Sequence, residues 1–221
     1  MDASTFFNEI RPLLDWSGLP LDLASLSALA LGLGWASGLR LYALVFTLGA
    51  LGRFAGVHLP GGLEILAHPL VIGLSGLLLL TEFLVDKVPY LDSLWDSVHT
   101  FIRIPAGAAL AATAMADQGA AAQVVMALLG GSLAAGTHMA KAGMRAAINT
   151  SPEPVSNVSA SLGEDALTAA GLWTLLNYPV WFLAGLAFFM LIALWLLFIL
   201  WCFVRRALTR RVEPVRQLPA E

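Results

Sequence analysis

The chain has 221 residues, of which 58% are hydrophobic and only 12% are charged, with a formal net charge of −3 at pH 7. About a quarter of the residues in an ordinary soluble domain are charged, so this composition excludes that class. The slightly acidic balance gives no reason to expect nucleic-acid binding. The apolar residues come in long blocks, which is typical of a polytopic membrane protein.

The first 22 residues predict a short amphipathic helix that lies on the membrane surface. They lack the basic leader and the small-residue cleavage site of a signal peptide. The apolar side of this predicted helix consists of Phe6, Phe7, Ile10, Leu13 and Leu14.

The next segment, residues 23–204, predicts an all-α bundle of five membrane-spanning helices, since a span needs about 20 mostly apolar residues. Four stretches qualify directly: residues 23–51, 69–85, 123–148 and 179–204. The fifth, residues 98–116, is rich in alanine and glycine and suits a helix packed closely by its neighbours. It could cross the membrane fully or re-enter.

The tail, residues 205–221, contains "RRALTRRVEPVR" and is strongly basic. The positive-inside rule therefore predicts that the C-terminus is cytoplasmic. Five spans then place the N-terminus outside, together with residues 86–100 and 149–178. The loop that carries Arg53 and His58 would lie inside.

Two halves of the spanning region resemble each other and predict an internal duplication. "WASGLRLYA" aligns with "LAAGTHMAK", so that Gly38 meets Gly136 and Arg40 meets His138, and further on Pro69 meets Pro179. The first repeat covers residues 25–85, a linking helix covers 95–117, and the second repeat covers 123–204. A linking helix that crosses once would give the repeats opposite orientations, as in many secondary transporters and also in channels and small exporters.

Four stretches resemble an uncharacterised bacterial family of small integral membrane proteins, known only as a domain of unknown function. They are "GWASGLRLY", "EFLVDKVPYLDSLWDSVHTFIRIPAGA", "HMAKAGMRAAINTSPEPVSN" and "SLGEDAL". The resemblance implies a multi-pass protein of the bacterial inner membrane. It implies no activity, substrate or site residue.

Arg40 lies inside the first span with Ser37 and Gly38 beside it. An arginine at the middle of a membrane helix costs about 2.5–3.5 kcal/mol on insertion scales, so it is expected to face the protein interior and to have a partner. It is either a contact for an anion or substrate, or a structural ion pair. Glu64 and Asp117 are its expected partners, with Glu82 too far away.

A cationic stripe follows the second aligned glycine. His138, Lys141 and Arg145 have the spacing i, i+3, i+7, which puts them on one helix face. Glu82 and Asp86 share a face of the second span, and Glu82 or Asp86 is expected to pair with this stripe. Such pairs could couple protons to transport, or could be purely structural.

A second polar stripe contains Asp92, Asp96, His99 and Arg103. Two carboxylates and a histidine could hold a divalent cation or relay protons. The nearby cations Lys87 and Arg103 disfavour a metal. A salt-bridged amphipathic helix, completed by an Asp96–Arg103 or an Asp92–Lys87 contact, is therefore the favoured interpretation, and no metal site is predicted.

The long polar segment "INTSPEPVSNVSASLGEDAL" is predicted to be an outer loop. Ser161 and Glu164 fit a capping box that opens a short helix. Asn157, Ser159 and Asp165 remain as polar groups without an assigned partner, so Asn157, Glu164 and Asp165 are outer-loop site candidates.

These features predict a small transporter or channel of the inner membrane, for an anionic solute or a lipid phosphate group. The alternative is a non-transporting assembly factor or a subunit of a larger complex or homo-oligomer in the lipid bilayer. The chain has no P-loop, GxGxxG, HExxH, GxSxG or CxxC motif, so no enzymatic activity and no cofactor are predicted. A lipid enzyme would need Asp92, Asp96, His99 and Glu164 to converge on one cavity.

Overall fold

The computed structural model describes residues 22–150 and 154–210, and these residues form helices and no strand. Six α-helices follow one another: α1 Leu23–Phe54, α2 Pro69–Val85, α3 Leu91–Ala114, α4 Ala120–Ile148, α5 Pro154–Asn177 and α6 Pro179–Arg210. Short 3-10 helices, Gly61–Ala67 and Ala116–Gln118, precede α2 and α4. The predicted all-α bundle is confirmed. The predicted surface helix, apart from Asp22, and residues 211–221 of the predicted tail lie outside the described residues.

Three helices in the described part of the chain are long and apolar enough to cross a membrane. They are Leu23–Phe54, Ala120–Ile148 and Pro179–Phe203, and a fourth arises if Gly61–Ala67 and α2, bent by 72°, count as one broken span. Of the predicted fifth span, residues 98–114 lie in α3, whose buried face is charged, and Ala116 begins the next 3-10 helix. The outer side of α3 is apolar, with Phe101 83% exposed, as expected for a helix beside lipid.

Local sequence signals set the beginnings of several helices. The backbone N–H of Ser25 donates to Asp22 Oδ1 over 2.8 Å, which caps α1 and lowers the pKa of the Asp22 carboxyl. Pro69 and Pro179 are the first residues of α2 and α6, where a missing N–H costs nothing.

The central helix α1 is broken at Arg40, whose dihedral angles (φ −142°, ψ 69°) are not helical. Before the break, the hydroxyl of Ser37 donates to the carbonyl of Arg103 in α3 over 2.8 Å. Just after it, the rings of Tyr42 and His99 meet edge to face with their centroids 5.6 Å apart. A straight α1 would thus continue antiparallel to α3, past the first residue of α3.

Gly61 shows that the chain turns back at the break. It lies against the carbonyl of Thr113, near the opposite end of α3. A straight α1 would leave Phe54 about 40 Å from Thr113, whereas the seven residues from Phe54 to Gly61 reach at most about 25 Å. The half of α1 after Arg40 therefore returns toward the C-terminal end of α3. α2 then runs back toward Arg40, with Gly76 against the Phe46 ring.

The first half of α1 and α4 run in the same direction. Gly34 lies against Gly130, and five residues later the carbonyl of Leu39 accepts a hydrogen bond from Lys141 Nζ at 3.4 Å. The predicted inverted repeat requires opposite directions for these helices and is therefore wrong. The turn at Arg40 reverses the direction of the chain once more than the five predicted spans do.

Helix α5 replaces the predicted outer loop. It runs antiparallel to the first half of α1, since the side chain of Ser161 lies at Arg40 and Gly171 lies against the Trp35 ring. The predicted capping box at Ser161 and Glu164 is wrong because both residues lie inside α5. With this additional reversal, the first residue of α1 and the last residue of α6 lie at opposite ends of the bundle.

Small residues allow α1, α3 and α4 to approach closely. A Cβ on Gly34 would lie 2.6 Å from the backbone of Gly130, and a Cβ on Gly107 would lie 2.6 Å from Cβ of Ala134. Such contacts are typical of helix interfaces in membranes. They hold the three helices together along the part of α1 that precedes the break. Polar side chains from all three helices therefore meet at the break.

Candidate functional site: a buried charge network

Nine charged side chains lie together around the break in α1, each at most 5% exposed. They form what we call the charge network: Arg40, Glu82, Asp86, Asp92, Asp96, Arg103, Lys141, Arg145 and Glu164. Every helix from α1 to α5 contributes at least one member, and Asp86 directly follows α2. The prediction that Arg40 faces the interior is confirmed, since it is 1% exposed.

Asp86, which follows α2, is surrounded by cations. Its Oδ2 accepts from Arg40 Nη1 at 2.5 Å and from Lys141 Nζ at 3.1 Å. A third cation, Arg145, approaches to 3.9 Å and donates to the backbone carbonyl of Asp86. The predicted pairing of Asp86 with the cationic stripe of α4 is confirmed.

Lys141 is the cation at the centre of the network. Its ammonium lies within 4 Å of four carboxylates: Asp86 at 3.1 Å, Glu164 at 3.3 Å, Asp96 at 3.6 Å and Glu82 at 3.8 Å. An ammonium is a compact charge with three donors, and so one Lys141 can be shared among groups from three helices.

Arg103 links two carboxylates of the network to His138. Its guanidinium donates to Asp96 Oδ1 at 2.8 Å, to Glu82 through a short contact, and to Nδ1 of His138 at 3.3 Å. Since Nδ1 accepts, the proton of a neutral His138 lies on Nε2, which contacts the Thr100 hydroxyl at 2.7 Å. His138, which the sequence aligns with Arg40, thus borders the same network as Arg40.

Arg145 and Glu164 form a two-pronged pair. Arg145 Nε and Nη2 donate to the two oxygens of Glu164 at 3.2 and 3.1 Å, the paired geometry that fixes both side chains. Nη1 of the same guanidinium donates to the carbonyl of Asn157 at 3.1 Å. Asn157, buried in the first turn of α5, also donates to the side chain of Asn149.

Arg40 has partners other than the two that the sequence predicts for it. Its Nη2 donates to the Ser161 hydroxyl and reaches Asp165 Oδ1, both at 3.0 Å. Its Nη1 lies 4.0 Å from Glu82, so the prediction that these two residues are too far apart is wrong. The reversal of α1 explains the error, because it brings α2 back to Arg40. No ion pair joins Arg40 to Glu64 or Asp117 among the described residues.

The α3 stripe is confirmed as a salt-bridged face. Asp96 binds Arg103, while Asp92 accepts from Asn149 at 2.9 Å and lies 3.7 Å from Arg145. His99 contacts the carbonyl of Trp95 at 2.8 Å and stacks on its ring. In the part of the chain that the structure describes, no three or more His, Cys, Asp or Glu side chains are arranged to hold a metal ion.

Ser37 and Gly38 position the broken helix rather than contribute charge. A Cβ on Gly38 would collide with the Thr137 hydroxyl and approach the Ala134 carbonyl to 2.5 Å. Two backbone carbonyls just before the break accept from α4, since the Thr137 hydroxyl reaches that of Trp35 at 3.1 Å and Lys141 Nζ reaches that of Leu39 at 3.4 Å. A helix can be interrupted inside a membrane protein only where neighbours satisfy its backbone in this way.

One polar face escaped the sequence interpretation. Asn157, Ser161, Glu164 and Thr168 are all buried and lie on one side of α5. Their spacing of 4, 3 and 4 residues repeats that of Asp92, Asp96, His99 and Arg103. The spacing would have identified the face if the segment had been predicted as a helix.

The network has five carboxylates and four fixed cations. Arg40, His138, Lys141 and Arg145 therefore give the site no excess of positive charge, because the carboxylates of α2, α3 and α5 face these cations. Each fixed cation lies within 4.0 Å of at least two carboxylates.

A family model for a domain of unknown function, DUF4126, matches residues 27–198, which include every member of the network. The chain belongs to the DUF4126 family. No curated protein and no solved structure matches this DUF4126 chain. The family shown agrees with the class of family that the four sequence stretches resemble.

Proposed function

We propose that this DUF4126 protein is a small membrane transporter or channel for an anionic solute or a lipid phosphate group. The surroundings of Asp86 carry the proposal. Three cations, Arg40, Lys141 and Arg145, lie 2.5, 3.1 and 3.9 Å from one of its carboxylate oxygens. Guanidinium and ammonium groups that converge on one oxyanion are the usual receptor for carboxylate or phosphate. Here the protein's own carboxylate fills that receptor.

A solute would bind by exchange with Asp86. Leaving a buried cation without a partner costs about 3–5 kcal/mol, so the cations must be passed from Asp86 to the solute. The break in α1 at Arg40 supports such movement, because transporters place interrupted helices at their ion and substrate sites. We propose no enzymatic activity and no resident cofactor.

The second candidate function is a purely structural one. The protein would then be an assembly factor, or a subunit of a homo-oligomer or larger complex in the lipid bilayer. The observation that favours it is the complete pairing of Arg40, Arg103, Lys141 and Arg145 with carboxylates. Ion pairs enclosed in a protein core can serve only to hold helices together.

Anion flux into proteoliposomes separates the two candidates. The purified protein would be screened with phosphate, sulfate and small carboxylates, and then the Arg40→Lys and Arg40→Ala variants would be compared with wild type. We expect Arg40→Lys to lose about tenfold in flux because it lacks the planar fork of donors, and Arg40→Ala to lose more.

Arg53→Ala is the matched control, since Arg53 is an exposed cation in the same helix. Its flux should equal that of wild type at equal protein content. Wild-type flux in Arg40→Ala would end the assignment of Arg40 to a solute site. Absence of flux for every anion tested would favour the structural candidate.

We further propose an inner-membrane location with the N-terminus outside and the C-terminus in the cytoplasm. Arg205, Arg206, Arg210 and Arg211 near the end of the chain support this orientation through the positive-inside rule. Because α6 runs in the direction of α4, its C-terminal end lies on the side of the connection between α4 and α5. The network would then lie nearer the cytoplasmic side, and the loop with Arg53 and His58 would lie outside.

Reporter fusions test this orientation. A reporter after Glu221 should be active only in the cytoplasm, and a reporter inserted after His58 should be active only outside. The second fusion separates the present arrangement from a five-span topology, which places His58 inside. A C-terminal reporter active in the periplasm would reverse the orientation.

A further inference from the structure

We propose that Glu82 is a proton-binding site and holds a proton on Oε2 when Asp86 is paired with the cations of the network. The starting point is the charge balance of the network, with five carboxylates against four fixed cations, all at most 5% exposed. An unbalanced charge buried away from water is costly, and a group in that position usually becomes neutral by binding a proton. One carboxylate of the five is therefore expected to be a neutral carboxyl.

The geometry points to Glu82. All three of its cation contacts, with Arg103, Lys141 and Arg40, go to Oε1. Its Oε2 is buried and has no hydrogen-bond partner, a property that one oxygen each of Asp86, Asp92 and Asp96 shares, so the cation contacts must decide among them. A proton on Oε2 removes the charge and leaves Oε1 free to accept from Arg103.

The other four carboxylates fit less well as the proton carrier. Asp86 has three cations within 3.9 Å, and Glu164 is held through both of its oxygens by Arg145. Asp96 shares Arg103 with Glu82, but it lies 3.6 Å from the Lys141 ammonium, closer than Glu82 at 3.8 Å. Asp92 accepts from a backbone N–H and from Asn149 through Oδ1, both of which favour an ionised carboxylate.

Charged and titratable groups from every helix packed around Glu82 lie close to Glu82 itself or to its cations. They are Arg40 and Tyr42 from α1, Asp86 after α2, Asp96 and Arg103 from α3, His138 and Lys141 from α4, and Glu164 from α5. When Glu82 releases its proton, the network gains a negative charge and holds Arg40 and Lys141 more tightly. When Glu82 binds a proton, those cations are freer to bind an anion.

The proton would thus be the coupling ion for transport, a role that rests on the proposed function. Its presence at Glu82 is independent of any solute.

Infrared difference spectroscopy of the purified protein between neutral and alkaline buffer tests the site, since exposed carboxyls are ionised in both buffers. Wild type should show the C=O stretching band of a protonated carboxyl, and this band should disappear when the buffer is made alkaline. Labelling with 13C-glutamate should shift the band, labelling with 13C-aspartate should not, and Glu82→Gln should lack the band. Glu64→Gln, which changes an exposed carboxyl outside the network, should keep it. Circular dichroism of each variant would verify the fold.

A second pair of variants does not depend on the folding of Glu82→Gln. Arg103→Lys changes a direct partner of Glu82 and should shift the frequency of the band, whereas Arg145→Lys should leave it in place. A band that survives in Glu82→Gln, or a wild-type protein with no such band, would overturn the proposal. Neither result would bear on whether the protein carries an anion, which the flux assay decides separately.

Discussion

Replacing Lys141 by methionine is expected to lower the free energy of unfolding by about 3–5 kcal/mol, the usual cost of removing one partner from buried ion pairs. Methionine fills a similar volume without charge, so the loss measures the ammonium and not a cavity. Four carboxylates lie within 4 Å of that ammonium and would face one another across a site without it. Thermal or denaturant unfolding of the purified protein in detergent would measure the change.

The destabilisation of Lys141→Met should shrink as the pH falls. Carboxylates that lose their cation bind protons more readily in the folded than in the unfolded protein, and so acid stabilises the folded variant relative to its stability at neutral pH. Lys87→Met is the control. Lys87 lies outside the network, donating to the Phe83 carbonyl at 2.9 Å, and its removal should cost little at any pH. Equal stability of the two variants at neutral pH would show that Lys141 does not hold the carboxylates.

Much of this fold follows from patterns that a sequence displays. Pro69 and Pro179 mark the first residues of two helices, because proline fits only the first turn without losing a hydrogen bond. The spacing from Asp92 to Arg103 predicted one polar face on α3, and that face is buried with its members paired. Both predictions depend on contacts within one helix, and such contacts are set by local spacing.

The reversal at Arg40 is not encoded locally in the same way. Nothing in "GWASGLRLYAL" excludes a continuous helix, and the apolar stretch around it is long enough for one span. The turn is stabilised by groups far along the chain, such as Ser161 and Asp86, which bind the Arg40 guanidinium. Partners separated by up to 121 positions in sequence could not be assigned without the fold.

The polar segment after residue 150 was misassigned for the opposite reason. Its serines and carboxylates favoured a loop, because an isolated helix of that composition has no apolar face to bury. In the protein, Ser161 and Glu164 are buried against Arg40 and Arg145, so polar contacts take the place of an apolar face. A hydropathy pattern therefore does not identify a helix whose buried face belongs to a charge network.

The close approach of α1 to α4 leads to the last prediction, that Gly34→Ala lowers the free energy of unfolding by about 1–3 kcal/mol, as overpacking does elsewhere. The new Cβ would lie 2.6 Å from both Cα and the carbonyl oxygen of Gly130. Backbone atoms cannot rotate away as a side chain can, so the two helices must separate. Separation would also weaken the bond between the Leu39 carbonyl and Lys141, five residues along α1.

Gly73→Ala provides the matched control, since a Cβ at Gly73 would meet no atom within 4 Å. Both substitutions add the same methyl group to a helix, where alanine is favoured over glycine by about 0.5–1 kcal/mol. Gly73→Ala should therefore stabilise the protein slightly while Gly34→Ala destabilises it, as measured by unfolding in detergent. If Gly34→Ala were also stabilising, α1 and α4 could not be packed backbone to backbone at this position.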